Sequence, residues 1–105
     1  MSLPSDAEIE TQRQEALARI REALYGLDGK MEEGFGPGTL GCHEALHATS
    51  IALDMVERHV LDHPSIAVQP DWYRAAAKAH HYLFELYQMI GGAHVSGELP
   101  LKPDA

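Results

Sequence analysis

Residues 70–92 read PDWYRAAAKAHHYLFELYQMIGG and predict one long helix. Pro70 suits a first helical turn, and the pair Gly91-Gly92 predicts the end of the helix. Between them, apolar residues recur at intervals of three and four, which is the period of a helix with one buried face. This predicted core face consists of Trp72, Ala76, Ala79, Leu83, Leu86 and Ile90. No segment alternates with a period of two, so the predicted class is all-α.

A second helix is predicted from Thr39 or Leu40 to Asp62 or His63, just before Pro64. Its main apolar face consists of Cys42, Ala45, Leu46, Thr49, Leu53, Val56 and Val60. A weaker strip on the opposite side consists of Ala48, Ile51 and Met55. A helix that is apolar on two sides is central in its bundle or covered by a partner chain. The short connection to the next helix predicts an antiparallel hairpin.

The first helix is predicted from about Asp6 to Tyr25, because a capping-box pattern precedes it and Gly26 follows it. Six of the nine glycines lie in residues 26–41, so this segment is expected to be a flexible connector. Its length suggests a functional loop or exchange of the first helix between subunits. The expected fold is therefore a three-helix up-down bundle, with residues 1–92 as one domain and 93–105 as a loosely ordered tail.

Charge and cysteine content restrict the class of protein. Sixteen acidic and eight basic residues give a formal charge of −8, which argues against nucleic acid and anionic membranes as partners. Cys42 is the single cysteine, so we expect a reducing compartment. No apolar stretch approaches the roughly 20 residues of a membrane span, and the first ten residues lack a signal-peptide pattern. We therefore expect a soluble, cytoplasmic protein.

One motif carries chemistry. His43-Glu44-Ala45-Leu46-His47 spells H-E-x-x-H, and residues four apart lie on one face of a helix, where two imidazoles can hold one metal ion. The motif resembles that of zinc peptidases, which implies a general-base role for Glu44. Both ends of the predicted hairpin meet near His94, so His43, His47 and His94 form the candidate metal triad.

Several features weaken the peptidase interpretation. The extended form of the motif needs Gly at position 50 and His at position 53, where this chain has Ser50 and Leu53. No strand precedes the helix, and the paired imidazoles point away from the main apolar face. The simpler interpretation is a solvated helix start, with Glu44 favoured there by the helix dipole.

Three further patterns have competing interpretations. Glu44 and His47 match half of a di-iron carboxylate element, which needs a second copy and two further glutamates projecting inward. Cys42 lies on the apolar face, so a small buried side chain is favoured over a nucleophile. A neighbouring sector of the last helix is either subunit interface or additional core, and it consists of Tyr73, Ala77 and Phe84.

These patterns together favour a homodimeric binding or regulatory protein without catalytic activity and without a cofactor. The alternative is a metal-binding protein or zinc-dependent hydrolase, in which His43, His47 and His94 hold zinc or another divalent transition metal and Glu44 is the base. The sequence identifies no small-molecule ligand.

Overall fold

The computed structural model describes residues 3–25 and 31–96, and these residues contain helices and loops but no strand. The all-α class is therefore confirmed. The helices are α1 (Asp6–Tyr25), α2 (Met31–Phe35), α3 (Leu40–Met55), a π-helical segment (Val56–Leu61), α4 (Pro64–Ala67) and α5 (Pro70–Ser96). None of the helices in these ranges is long and apolar enough to cross a membrane.

The chain divides into two compact units, Met1–Glu33 and Gly34–Ala105. The single-domain organisation expected for residues 1–92 stays a prediction. In the first unit, α1 has the predicted bounds, while its expected stop at Gly26 lies outside the described residues. The Ser5 hydroxyl caps α1, since it accepts the Glu8 amide at 3.1 Å and donates to the Glu8 carboxylate at 3.1 Å. The Ser5 half of the predicted capping box is therefore present, while the Glu8 carboxylate accepts from the Ser5 hydroxyl and not from the Ser5 backbone amide.

An exposed hydrogen-bonded cluster of Glu10, Arg13 and Gln14 lies on α1. Arg13 donates to both carboxylate oxygens of Glu10, at 2.6 and 2.8 Å, and the Gln14 amide donates to the same carboxylate at 3.0 Å. These hydrogen bonds stabilise the carboxylate, foremost the bond from Arg13, and lower the pKa of Glu10 to about 2. The pKa of Arg13 is raised for the reciprocal reason.

The glycine-rich connector is more structured than expected. Its residues 31–35 form the short helix α2, which the sequence did not predict, while the flexibility expected for 26–41 stays a prediction. Gly41 lies so close to Gly34 and Phe35 that an added Cβ would collide with the Gly34 carbonyl oxygen and the Phe35 ring. Gly38 has a positive φ of 86°, a conformation that favours glycine. Two of the connector glycines therefore serve a turn and a close contact.

Thr39 is the N-cap of α3, in agreement with the predicted start of the second helix. Its hydroxyl accepts the Cys42 amide at 3.2 Å and donates to the Gly36 carbonyl at 2.6 Å. At the other end, the helix widens into the π-helical segment and reaches its C-cap at Asp62. The predicted end was correct, but the change of helix type was not foreseen. His63 then caps α4, because its Nδ1 accepts the Ser65 amide at 3.0 Å.

Three contacts show that α3 and α5 run antiparallel. His43 in the first turn of α3 lies beside His94 near the end of α5, with ring centroids 5.6 Å apart. Further along, Leu46 approaches Gly91, where an added Cβ would lie 3.7 Å from its Cδ1. In the π-helical segment, Glu57 lies 3.8 Å from His80. The residue numbers along α3 and the π-helical segment increase while those of their contact partners on α5 decrease, so the two helices run in opposite directions.

The helix α5 does not end at Gly91-Gly92, as expected from the sequence, but continues to Ser96. Neither glycine adopts a positive φ, and a right-handed glycine costs a helix only about 1 kcal/mol. Residues 93–96, expected in a loose tail, are therefore helical, and Ala93 is buried. The remaining tail residues, 97–105, lie outside the described ranges.

The face of α5 that meets α3 differs from the predicted one. Half-buried residues follow intervals of four and three along one line, which we call the inner stripe: Ala76, His80, Leu83, Tyr87, Ile90 and His94. Three predicted core residues lie beside it and are exposed: Trp72, Ala79 and Leu86. Their assignment to the core was wrong because α5 carries apolar residues on several sides and α3 covers only one of these sides.

The core within the described residues is small. Cys42 and Ala93 have the only buried apolar side chains there, with 8% and 6% of their surface exposed. The predicted main face of α3 is otherwise half-buried at Leu46, Thr49, Leu53, Val56 and Val60, and Ala45 is exposed.

Candidate functional site

The first turns of α3 carry the H-E-x-x-H motif on a solvent-facing side. Thr39 fixes the start of the helix, so helical periodicity places His43 and His47 one turn apart on the same face. Both imidazoles and the Glu44 carboxylate are exposed. Glu44 and His47 therefore do not project into a helix core, which the di-iron interpretation requires.

His94 reaches this site because α5 continues beyond its two glycines. Its ring lies 5.6 Å from that of His43, at an interplanar angle of 41°. Its Nδ1 accepts the amide N–H of Gly38 at 3.2 Å, so the last turn of α5 is tied to the loop before α3. The structure thus brings together two members of the predicted triad, His43 and His94.

Metal binding by His94 would conflict with this hydrogen bond. A neutral imidazole that accepts at Nδ1 carries its proton on Nε2, so Nε2 has no lone pair to give to a metal. Binding through Nδ1 would displace the Gly38 amide, and binding through Nε2 would need the other tautomer. Among residues 3–25 and 31–96, no group of three or more His, Cys, Asp or Glu side chains is arranged to hold a metal ion. The triad of His43, His47 and His94 stays a prediction.

Two shallow depressions border the paired imidazoles. The larger, about 380 Å³, is lined by His43, Glu44, His47, Ala48 and Ile51. The smaller, about 170 Å³, is lined by His43, Leu46, His47, Ser50 and Tyr87. Both are open to solvent and combine imidazole nitrogens with apolar side chains. Such a surface can accept a partly apolar group and hydrogen-bond its polar end.

Cys42 precedes His43 in the first turn of α3, and its side chain is buried and free of any disulfide. Burial agrees with the prediction of a small packing residue. Tyr87 contributes to the smaller depression and was assigned no role from the sequence. The signal for Tyr87 was present, since it lies four residues after Leu83 and three before Ile90.

A second exposed feature lies on α5, next to the inner stripe. Six residues with spacings of three, four, three, four and three form what we call the outer stripe: Trp72, Ala75, Ala79, Tyr82, Leu86 and Met89. All six are exposed, and Tyr82 is 65% exposed. The three residues predicted to form a subunit interface or additional core differ in burial. Tyr73 and Phe84 are exposed, while Ala77 is half-buried.

The fold and the site thus define an all-α protein with an exposed histidine-bearing surface on α3 and an uncharged apolar stripe on α5. Comparison of the chain with protein families, with curated proteins and with solved structures finds no match.

Proposed function

We propose that this chain forms a homodimer in the cytoplasm and acts by binding, without catalytic chemistry. The observation that carries the proposal is the amount of apolar side chain exposed on two helices of one small unit. Trp72 and Tyr82 on α5 are more than half exposed, and so is Met55 on α3. Full removal of a large apolar side chain from water is worth about 1.5–3 kcal/mol, so covering the exposed half of each would contribute about 1 kcal/mol, which favours a partner surface.

The second unit gains little stability from its own core, because almost all apolar residues of α3 and α5 keep contact with solvent. Small helical domains of this kind often gain stability by association. Two antiparallel pairs of α3 and α5 would give a four-helix core. The three-helix up-down arrangement expected from the sequence is part of this proposal, with α1 packed on its own hairpin or on that of the partner.

The geometry around Glu44 supports binding over hydrolysis. A general base and a polarised water work best in a site that excludes bulk solvent. Glu44, His43 and His47 instead border open depressions. The proposed cytoplasmic location is supported by the sequence alone, in which Cys42 is the single cysteine.

Light scattering at micromolar concentration tests the homodimer. We expect twice the chain mass of 11.5 kDa, and a mass near 11.5 kDa at all concentrations would reject the proposal. Hydrolysis of peptide or ester substrates that is lost in a Glu44→Gln variant would equally reject a purely binding role. The same assays with Glu85→Gln provide the control, because Glu85 is an exposed glutamate on another helix.

A second candidate function, metal binding, is favoured by one observation: the contact of His43 with His94. Elemental analysis of protein purified without an affinity tag tests it. Stoichiometric zinc, iron, nickel or manganese that is lost in a His43→Ala variant would support the metal centre. Retention of the metal in His43→Ala but not in His59→Ala would place it elsewhere. We expect no stoichiometric metal.

A further inference from the structure

We infer that the second copy of this chain packs along the outer stripe of α5, with the two α5 helices antiparallel. This inference rests on the proposed homodimer and specifies its interface. The spacing of the outer stripe is that of a and d positions in a heptad repeat, the pattern by which helices pack knobs into holes. The inner stripe has the same kind of spacing and is already covered by α3.

The outer stripe is self-complementary about its own centre. In antiparallel heptad packing, an a position lies opposite a d position of the partner. When the midpoints of the outer stripes of the two chains are aligned, which we call the centred register, Ala75 lies opposite the partner's Leu86, and Ala79 lies opposite the partner's Tyr82. The outermost position, Trp72, then lies opposite the partner's Met89. Every residue of the stripe finds a partner within the stripe, and each of its two alanines faces a large side chain, an arrangement that lets the side chains interdigitate.

Charges beside the stripe select the same register. Lys78 and Glu85 occupy the g positions that flank the stripe on the side away from α3. In the centred register, Lys78 lies beside the partner's Glu85, and the two-fold repeats this pair. A shift by one heptad step in one direction would place Glu85 beside the partner's Glu85, and a shift in the other would place Lys78 beside the partner's Lys78. Of these three registers, only the centred one pairs opposite charges.

The second copy also explains why the stripe carries no charge in a chain of net charge −8. Two copies with this charge repel each other, so they approach most easily through an uncharged surface. The four large side chains of the stripe are about half exposed, which leaves on the order of 400 Å² on one chain. That area is comparable to the largest apolar patch on a typical monomer and is about half of what one partner buries in a standard interface.

The test combines wild-type protein with four variants and measures mass and dimer dissociation by light scattering and sedimentation. Ala75→Glu and Leu86→Lys each place a charge against an apolar partner, so each alone should weaken the dimer at least about 100-fold. An equimolar mixture of the two should recover the dimer, because the new glutamate then faces the new lysine. Ala75→Glu mixed with Met89→Lys should not recover it. Ile51→Glu, on the opposite face of α3, should leave the mass at twice 11.5 kDa.

If circular dichroism shows that a stripe variant fails to fold, substitutions at exposed charged positions beside the stripe still test the interface. Lys78→Glu should weaken the dimer about 5-fold, and the double variant Lys78→Glu with Glu85→Lys should restore it. Both positions are exposed, so neither change opens the packing of the chain, although Glu85→Lys removes the surface contact of Glu85 with His81 at 3.0 Å.

The outcomes separate the two proposals. A monomeric wild type overturns both the homodimer and the proposed interface. This outcome would also be expected if α1 covered the outer stripe within one chain. A dimeric wild type that is dissociated by Ile51→Glu but not by Ala75→Glu keeps the homodimer and overturns this interface. Dissociation by Ala75→Glu without recovery in the mixture with Leu86→Lys overturns the antiparallel register.

Discussion

His94 joins the end of α5 to the loop before α3: its Nδ1 accepts the amide of Gly38 at 3.2 Å. The imidazole thereby satisfies a backbone donor at the turn, where Gly38 adopts a positive φ. A side chain from 56 residues further along the chain thus holds the loop that precedes the helix of His43 and His47. Its role in this structure is to connect the two ends of the hairpin.

Replacement of His94 by Ala should therefore destabilise the protein. The Gly38 amide is exposed and can turn to water, so we expect a loss of about 0.5–1.5 kcal/mol in the free energy of unfolding. His47→Ala is the matched control, because His47 is exposed and should change stability by less than about 0.5 kcal/mol. Urea unfolding followed by circular dichroism measures both. Equal effects of the two variants would contradict a connecting role for His94.

Two glycines in helices should respond in opposite directions to replacement by Ala. At Gly41, the added methyl collides with the Gly34 backbone and the Phe35 ring, so Gly41→Ala should destabilise by about 1–3 kcal/mol. At Gly92, nothing lies within 4 Å of the added methyl, so Gly92→Ala should stabilise by about 0.5–1 kcal/mol. Denaturant midpoints at unchanged m-values report both changes. A stabilising Gly41→Ala would show that the contact with α2 is absent in solution.

The Glu10 carboxylate should remain ionised well into the acid range. Its pKa is lowered from 4.5 to about 2, so its contribution to folding is complete above pH 4.5 and is lost as the pH falls through about 2. Carbon-detected NMR titration of the side chain measures this pKa. Arg13→Ala removes the main hydrogen-bond donor and should move the pKa back toward 4.5. A wild-type value near 4.5 would mean that the hydrogen bonds from Arg13 and Gln14 do not persist.

Cys42 should be protected from thiol reagents in the folded protein. It is 8% exposed, and a thiolate must be accessible to react. We expect the rate with an aromatic disulfide reagent to be at least about 100-fold below that of the unfolded chain. The rate in increasing urea should follow the unfolding curve. Fast reaction without denaturant would instead indicate local opening at the start of α3.

The helix bounds were largely predictable, because caps and prolines are local signals. Thr39 and Pro64 bracket the second predicted helix, and Pro70 opens the third. The short helix α2 was missed because five residues carry no measurable period. The continuation through Gly91 was missed because two glycines weaken a helix without ending it when neither adopts a positive φ.

The face of α5 was harder to predict than its extent. The spacing of Trp72, Ala79 and Leu86 is as regular for a helix as the spacing of the residues that contact α3. Periodicity identifies each possible stripe but not which neighbour covers it, and this depends on the direction from which α3 approaches. The nearness of His94 to His43 was predicted because it follows from the antiparallel hairpin alone.

The π-helical segment forms the last stretch of the rod that begins at Leu40. A wide turn takes up one residue more than a regular turn, so an extra residue is absorbed there without rotating the residues on either side. In a regular helix, one residue more or less would turn everything after it by about 100°. Loss of one residue within Val56–Leu61 should therefore restore a regular helix while the imidazole surface near the start of α3 and the chain after Leu61 keep their orientation. Length variation in this segment is thus tolerated locally.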